Sequence, residues 1–194
     1  ERTLFYKQNA QREQLQSQSS SYSEFLKSLN LEVQFERASP DNFSRISQLT
    51  LRTNQFNFTT IRRKESEIEK LCSAGEYECY AVSAKDRFGD YGMIGVLIFR
   101  IDSKEAVIDT FCLSCRALGR NIEHKMMGYV CECALERGAE KVIIPFIESG
   151  KNKPAFDFLV SIAGGKQLQD GHYTFVLPAR EGIALKEMVC ESNN

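Results

Sequence analysis

A short basic turn joins an apolar strand to an amphipathic helix near the middle of the chain. The strand is predicted over 107–114, and the turn that follows reads CRALGRN over 115–121. The first backbone N–H groups of a helix lack partners within it, and the helix dipole adds partial positive charge there. Arg116 and Arg120 flank this point, where each charge-assisted bond to an anion contributes about 1.5–3 kcal/mol. The pattern favours a phosphate site over two solvated arginines, with backbone donors from Leu118, Gly119, Arg120 and Asn121.

A thiol, a hydroxyl and several amides are candidates for catalysis or substrate binding. Ser114 and Cys115 end the strand, and a thiol beside an arginine and a helix N-terminus becomes more nucleophilic. Cys115 is therefore a candidate nucleophile, or else a thiol packed in a turn. The loop after the first helix of the domain holds Asn54, Gln55, Phe56 and Asn57. These side chains suit a small polar ligand, although amides in a loop also bond backbone groups.

The composition is that of an ordinary soluble protein. The 194 residues include 42% hydrophobic and 26% charged residues, and the formal net charge is −1. That balance argues against general nucleic-acid binding, and no apolar run reaches the roughly 18 residues of a membrane span. The chain starts at Glu1 without an initiator Met or a signal-like segment. We therefore expect a cytoplasmic protein and a piece of a longer chain.

Seven cysteines are spread through the sequence, an odd number with no small loop-rich scaffold around them. Cys112 and Cys115 have the CxxC spacing of a metal site, but no second pair follows at the spacing of a zinc ribbon. Cys131 and Cys133 point in different directions from the predicted helix. Free thiols in a reducing compartment are favoured over a zinc site, and we expect no metal.

The order of elements predicts a mixed α/β domain. Residues 1–30 are polar and indicate a helical connector from a missing upstream domain, although a flexible tail over 11–21 is the alternative. Residues 31–180 have the order β-α-α-β-β-β-α-β-α-β-β, with the strand–helix–strand unit at 107–147 as the parallel part of a mixed sheet. Helices are expected on both faces of that sheet. Residues 181–194 are predicted to form a C-terminal tail.

This order, together with Arg116-x-x-Gly119-x-Asn121, resembles the GNAT acyl-transferase fold and its pyrophosphate loop, written Q/R-x-x-G-x-G/A. Asn121 departs from the small residue that is usual at the last position. The resemblance implies that the strands at 107–114 and 141–147 part at their C-terminal ends. A pantetheine arm would pair with the backbone groups freed there, like an added strand. The alternative is a bulge at a strand end with no ligand.

The same resemblance implies roles for single residues. Leu113, Ser114 and Asn152 are expected to contact the cofactor, which would be coenzyme A or the phosphopantetheine of an acyl carrier protein. The position where such enzymes commonly have a general-acid tyrosine falls on Leu159, which cannot donate a proton. Ordinary acetyl transfer to an amine is therefore in doubt. The candidates for catalysis are Cys115 and Asn152.

A set of longer motifs is similar to the C-terminal part of FkbH-like proteins, over residues 22–178. The motifs are TNQFN at 53–57, DRFGDYG at 86–92, IDT at 108–110, SCR at 114–116 and PAFDF at 154–158. Members of that family join a HAD-superfamily (type IIIC) phosphatase-like domain to a GNAT-like domain. The best-described members dephosphorylate a glyceryl phosphate and load the glyceryl group onto an acyl carrier protein for polyketide biosynthesis. The present sequence has no Asp-x-Asp, so a phosphatase site is expected upstream of it.

Three functions follow from these patterns. The first is an acyltransferase-type domain that binds a phosphopantetheine thioester within an FkbH-like protein. The second is a non-catalytic GNAT-like module that docks an acyl carrier protein or supports the HAD-like domain. The third, an N-acetyltransferase acting on a small amine, is weakened by Leu159. The expected partners are an acyl carrier protein and the upstream HAD-like domain, with no nucleic acid and no membrane.

Overall fold

A computed structural model describes residues 2–187 of the chain. The helices are α1 (Arg2–Gln18), α2 (Tyr22–Ser28), α3 (Phe43–Arg52), α4 (Glu65–Ala74), α5 (Ile122–Glu136), α6 (Lys153–Ile162) and α7 (Ala179–Gly182). The strands are β1 (Glu32–Arg37), β2 (Tyr77–Asp86), β3 (Gly89–Asp102), β4 (Glu105–Leu113), β5 (Lys141–Ile147), β6 (Gly164–Gln169) and β7 (His172–Pro178). Short 3₁₀ turns cover Cys115–Ala117 and Ile183–Lys186. From β1 to β7 this is the predicted order of elements.

The strands form one mixed sheet in the order β1-β2-β3-β4-β5-β7-β6. Every neighbouring pair is antiparallel except β4 and β5, which are parallel because α5 crosses over between them. The parallel pairing runs only from Glu105 opposite Lys141 to Val107 opposite Ile143, although β4 continues to Leu113. The two strands therefore part at their C-terminal ends, which confirms the predicted divergence.

Alternate side chains of the central strands supply two cores, one on each face of the sheet. Tyr80, Val82 and Leu97 belong to a large core that includes the buried face of α5. Ala81 and Ile98 belong to a second core with α3 and α4. Successive residues of a strand point to opposite faces, so strands covered on both sides are apolar throughout. The predicted mixed sheet with helices on both faces is confirmed.

The two N-terminal helices pack against the hairpin between β2 and β3. The Arg12 guanidinium on α1 donates to the Asp86 carboxylate from Nε at 2.7 Å and from Nη2 at 2.9 Å. The Tyr91 hydroxyl donates to the same carboxylate at 2.6 Å, and the Tyr91 ring lies 4.3 Å from the guanidinium carbon of Arg12. Helix α1 extends unbroken to Gln18, so residues 11–18 of the range 11–21 are helical.

Helix α5 begins after a turn that contains two left-handed residues. Gly119 and Asn121 have φ angles of 72° and 59°, a region that glycine and asparagine adopt more readily than other residues. Glu123 follows in the first turn of the helix and is 8% exposed. Burial raises the pKa of Glu123 to about 6, against smaller opposing effects of its own backbone N–H and of Arg120.

The C-terminal segment packs closely on α5. A Cβ added at Gly128 would lie 2.7 Å from the Lys186 backbone nitrogen, and one at Gly182 would lie 2.3 Å from the Cys131 sulfur. Any side chain at either position would clash with these atoms, so both positions require glycine. Residues 188–194, which belong to the predicted tail over 181–194, lie outside the described residues.

We expect Arg12→Ala to lower the free energy of unfolding by about 3–5 kcal/mol, since it leaves a buried carboxylate without its cation. The side chains of Arg12 and Asp86 are 3% and 0% exposed. Urea denaturation measures the change. Lys104→Ala is the control, because it breaks an ion pair with Glu140 whose side chains are 69% and 70% exposed. Similar losses in the two variants would contradict the importance of the buried pair.

Glu123→Gln should stabilise the protein increasingly as the pH rises. The folded-state pKa of Glu123, about 6, exceeds its ordinary value of 4.5, so its stabilising contribution is fully present below pH 4.5 and is lost as the pH rises through 6. The shift corresponds to about 2 kcal/mol, of which about 1 kcal/mol is lost between pH 5 and pH 8. Urea denaturation at these two pH values measures the advantage of the variant. Glu136→Gln, at an exposed position of α5, is the control, and an advantage that does not grow with pH would contradict the prediction.

Candidate functional site

An open cleft lies where β4 ends. It has a volume of about 570 Å³ and is bounded by one face of α3, the loop after α3, the turn after β4 and the loop before α6. The lining side chains are Arg45, Gln48, Leu49, Arg52, Thr53, Asn54, Gln55, Ser114, Cys115, Arg116 and Lys151. A cleft of this size is in the range of sites that hold small ligands or cofactors.

Four of the lining side chains are cationic, and none is acidic. Burial, and to a lesser extent the neighbouring positive charge of Arg45, lowers the pKa of Arg116. Arg116 donates to the Met93 carbonyl at 2.9 Å, and this bond holds its side chain against the wall of the cleft. Like charges gathered in one concave surface attract an anion. The cleft is therefore suited to a negatively charged ligand.

The cleft brings together five residues that the sequence singled out: Asn54, Gln55, Ser114, Cys115 and Arg116. Cys115 is exposed there. Sequence reasoning missed the cations Arg45, Arg52 and Lys151. The spacing of Arg45 and Arg52, seven residues apart on one predicted helix, was the signal that could have placed them on one face.

The rest of the predicted phosphate turn lies apart from this cleft. Residues 118–121 border two separate depressions beside α1 and α2. Tyr22 donates a hydrogen bond to the Gly119 carbonyl. The Arg120 guanidinium donates to the Arg116 carbonyl at 2.9 Å and is therefore engaged within the turn itself. Anion binding at 118–121 stays a prediction.

The gap between β4 and β5 is filled by the chain's own backbone. The Phe58 N–H donates to the Phe111 carbonyl at 3.3 Å, and the Leu113 N–H donates to the Phe56 carbonyl at 2.9 Å. On the other side of the gap, the Ile147 N–H donates to the Phe58 carbonyl at 2.8 Å. These bonds use backbone groups that were expected to be free for a pantetheine arm, and that expectation is wrong.

Asn152 links the two loops that border the cleft. Its side chain is fully buried, and Nδ2 donates to the carbonyls of Asn57 at 3.0 Å and Ile147 at 2.9 Å. Its Oδ1 accepts from the Ser149 N–H at 2.9 Å. A buried amide with these three partners is well satisfied. Asn152 therefore holds the backbone of Asn57 beside the backbone at the end of β5.

Five other predicted positions are buried, namely Phe56, Asn57, Leu113, Asn121 and Leu159. Phe56 is 2% exposed, and Asn57 and Leu159 are 0% exposed. Of the four residues predicted to bind substrate, only Asn54 and Gln55 therefore reach the cleft. Leu159 puts hydrocarbon where the resemblance would have a proton-donating tyrosine.

Among residues 2–187, no group of three or more histidine, cysteine, aspartate and glutamate side chains is placed to hold a metal ion. The six cysteines of that range carry free thiols. No helix within the same range combines the length and the apolar character needed to cross a membrane.

No protein-family model matches the sequence, and no curated protein matches it. Solved structures do match the fold. The ribosomal-protein-S18-alanine N-acetyltransferase from Escherichia coli has a TM-score of 0.57 at 11% identity, over 76% of this chain and 94% of that chain. An acetyltransferase of the GNAT family from Staphylococcus aureus has a TM-score of 0.56 at 10% identity, over 76% and 99%. Spermidine N-acetyltransferase from Vibrio cholerae, in complex with CoA and spermine, has a TM-score of 0.57 at 10% identity, over 78% and 98%.

Such low identities show the fold alone. The mixed seven-stranded sheet, the single parallel pair and the parting of that pair are features of this chain itself. Together with the matches, they confirm the predicted fold: the chain has the fold of the GNAT acetyltransferases.

Proposed function

We propose that this chain is an acyltransferase-type domain that binds a phosphopantetheine thioester in the cationic cleft. The thioester would be carried by coenzyme A or by an acyl carrier protein. One observation carries the proposal: the exposed thiol of Cys115 opens into a cleft walled by Arg45, Arg52, Arg116 and Lys151. A phosphate gains charge-assisted hydrogen bonds from such cations. The fold supports the proposal, because a matching acetyltransferase was solved in complex with CoA.

In the proposed reaction, the Cys115 sulfur attacks the carbonyl carbon of the thioester. The bond from that carbon to the pantetheine sulfur breaks as the bond to Cys115 forms, and the Cys115 proton passes to the leaving pantetheine thiolate. A second thiol then takes the acyl group by the same exchange in reverse. Asn54 and Gln55 border the cleft and suit a small hydroxylated acyl group such as glyceryl. Asn152 contributes by holding the bordering loops.

We place the domain in an FkbH-like protein, where it would follow a HAD-like phosphatase domain and work with an acyl carrier protein in the cytoplasm. The motif set over 22–178 supports this placement. The positive cleft supports it as well, because the phosphopantetheine arm of a carrier protein is anionic. The motif at 86–92 also has a physical task in the structure, since its Asp86 holds α1 through Arg12.

A non-catalytic module that docks a carrier protein is the second candidate, and two observations favour it. Leu159 supplies no proton donor, and the gap between β4 and β5 is filled. In this function the cleft would hold the phosphate of the arm without acyl exchange at Cys115. Leu159 also disfavours N-acetyl transfer to a small amine.

Removing single cations from the cleft should weaken ligand binding. Arg52→Ala and Lys151→Ala each remove one charge at an exposed position. We expect the Kd for coenzyme A or a holo-acyl carrier protein to rise about 5- to 10-fold in each variant at low salt. Isothermal titration calorimetry measures it. Lys70→Ala removes an exposed cation of α4 outside the cleft and should bind as the wild type does. Unchanged affinity in both cleft variants would contradict the proposal.

Cys115→Ala should separate the two candidate functions. After incubation with an acyl-loaded carrier protein, intact-mass spectrometry of the wild type should show the mass of one added acyl group, and Cys115→Ala should show none while still binding the carrier. Cys72→Ala, which removes a half-buried thiol outside the cleft, should retain the adduct. An adduct on Cys115→Ala would exclude Cys115 as the nucleophile, whereas carrier binding without an adduct on the wild type would favour the docking module.

A further inference from the structure

We infer that the segment Phe56–Phe58 is a fixed strand of the sheet that permanently closes the gap between β4 and β5. A thioester ligand then reaches Cys115 only through the cationic cleft on the α3 side. The closure of the gap follows from contacts within the protein alone. The route of the ligand rests on the proposed function, because it concerns a thioester bound in the cleft.

The backbone of the segment pairs with β4 as a strand would. Asn57 lies directly opposite Cys112 in an antiparallel bridge, and the residues on either side of it exchange hydrogen bonds with the residues flanking Cys112. The pairing continues through the Thr59 hydroxyl, which donates to the Asp109 carbonyl at 2.8 Å. The edge of β4 that faces β5 is therefore occupied from Asp109 to Leu113, and an added strand would have to replace these bonds.

Aromatic side chains anchor the segment inside the protein. Phe58 is 0% exposed, and its ring stacks on Phe111 with centroids 4.3 Å apart and planes within 9°. Phe56 packs against both rings at 5.7 Å and 6.1 Å, and against Phe158 of α6 at 5.5 Å. Moving the segment out of the gap would expose several of these rings to water, which opposes any opening.

Hydrogen bonds from Asn152 and Thr60 also hold the segment in place. The Asn57 carbonyl accepts from the Asn152 amide at 3.0 Å, and the Asn57 side-chain oxygen accepts from the Thr60 N–H at 3.0 Å. Asn57 and Asn152 are both 0% exposed. Buried polar groups that lose such partners without replacement are costly to leave unpaired. The segment is therefore held by backbone bonds, ring packing and buried amides together.

The opposite approach to Cys115 remains open. Cys115 is exposed and lines the cleft together with Asn54 and Gln55, which belong to the loop just before the closing segment. Fixing Phe56–Phe58 in the gap therefore also fixes the wall of the cleft. A ligand arm that reaches the thiol by this route lies among the cations that line the cleft.

The first test needs no ligand. Native-state hydrogen exchange, followed for single amides by nuclear magnetic resonance, reports whether the segment opens locally. We expect the amides of Phe58 and Ile147 to exchange within about tenfold of the rate of Val96, a buried residue of the central strand β3 whose exchange reports global unfolding. Faster exchange of Phe58 than that would reveal local opening and would overturn the closed gap.

The second test locks the gap with a disulfide. Directly opposite residues that do not bond each other in an antiparallel pair have Cα atoms about 4.5 Å apart, within the roughly 4.4–6.8 Å that a disulfide spans. Asn57→Cys therefore faces the native Cys112. The oxidised and reduced forms of this one variant are compared for binding of coenzyme A and a holo-acyl carrier protein, with disulfide formation verified by loss of two thiols. Asn57→Ser, treated with the same oxidant, controls for oxidation of Cys115.

We expect the oxidised and reduced forms to bind each probe with Kd values that agree within about twofold, because the arm does not use the gap. A larger loss of affinity on locking, absent from Asn57→Ser, would overturn the inference. If neither the wild type nor the variant binds either probe, the proposed function fails. The hydrogen-exchange result then decides by itself whether the gap is closed.

Discussion

The parting of β4 and β5 is the constraint on which the rest of the structure depends. Parallel strands that separate inside a protein leave N–H and C=O groups without partners, and each such group costs free energy comparable to a lost hydrogen bond. The segment Phe56–Phe58 supplies the missing partners. This brings the preceding loop, residues 53–55, to the end of β4 and next to the turn at 114–116. The cleft exists because these two stretches are held side by side.

The charge of the cleft results from where ion pairs form and where they do not. Asp109 is engaged by Arg63 at 2.7 Å, and Asp86 is engaged by Arg12 at 2.7 Å. Neither carboxylate lines the cleft. The positive charges of the cleft are therefore not offset by an acidic side chain in its lining, and together they attract an anionic ligand. The net charge of −1 averages over this arrangement, so a near-neutral chain can still present a strongly positive concave surface.

The architecture was predictable because it follows from periodicity. Apolar runs, helical spacing and turn residues indicated the strands and helices of the domain, and the order of elements indicated the parallel pair. The parting of that pair was implied by the resemblance to the GNAT fold. The filling of the gap was not predictable in the same way. Phe56–Phe58 is too short to show a strand pattern, and its partners Phe111 and Ile147 are far away in sequence.

Part of the candidate site was predictable, because some of its residues follow directly from the position of a strand. Ser114 and Cys115 sit at the end of a strand, a position that sequence can assign. Arg120 is predicted to bind an anion, and in the structure its guanidinium also donates to the Arg116 carbonyl, four residues back in the same turn. Local competition of this kind depends on backbone geometry, which residue types alone do not specify.

The stacked rings of Phe58 and Phe111 make it possible to infer from sequence whether the gap between β4 and β5 is filled. The two ring centroids are 4.3 Å apart, and this stacking forms only while the segment Phe56–Phe58 lies in the gap. A homologous chain with small or polar residues at both positions would lose that packing and could leave the edge of β4 available for pairing. Two alignment columns would then sort the members of a family into those with a filled sheet and those with an open one.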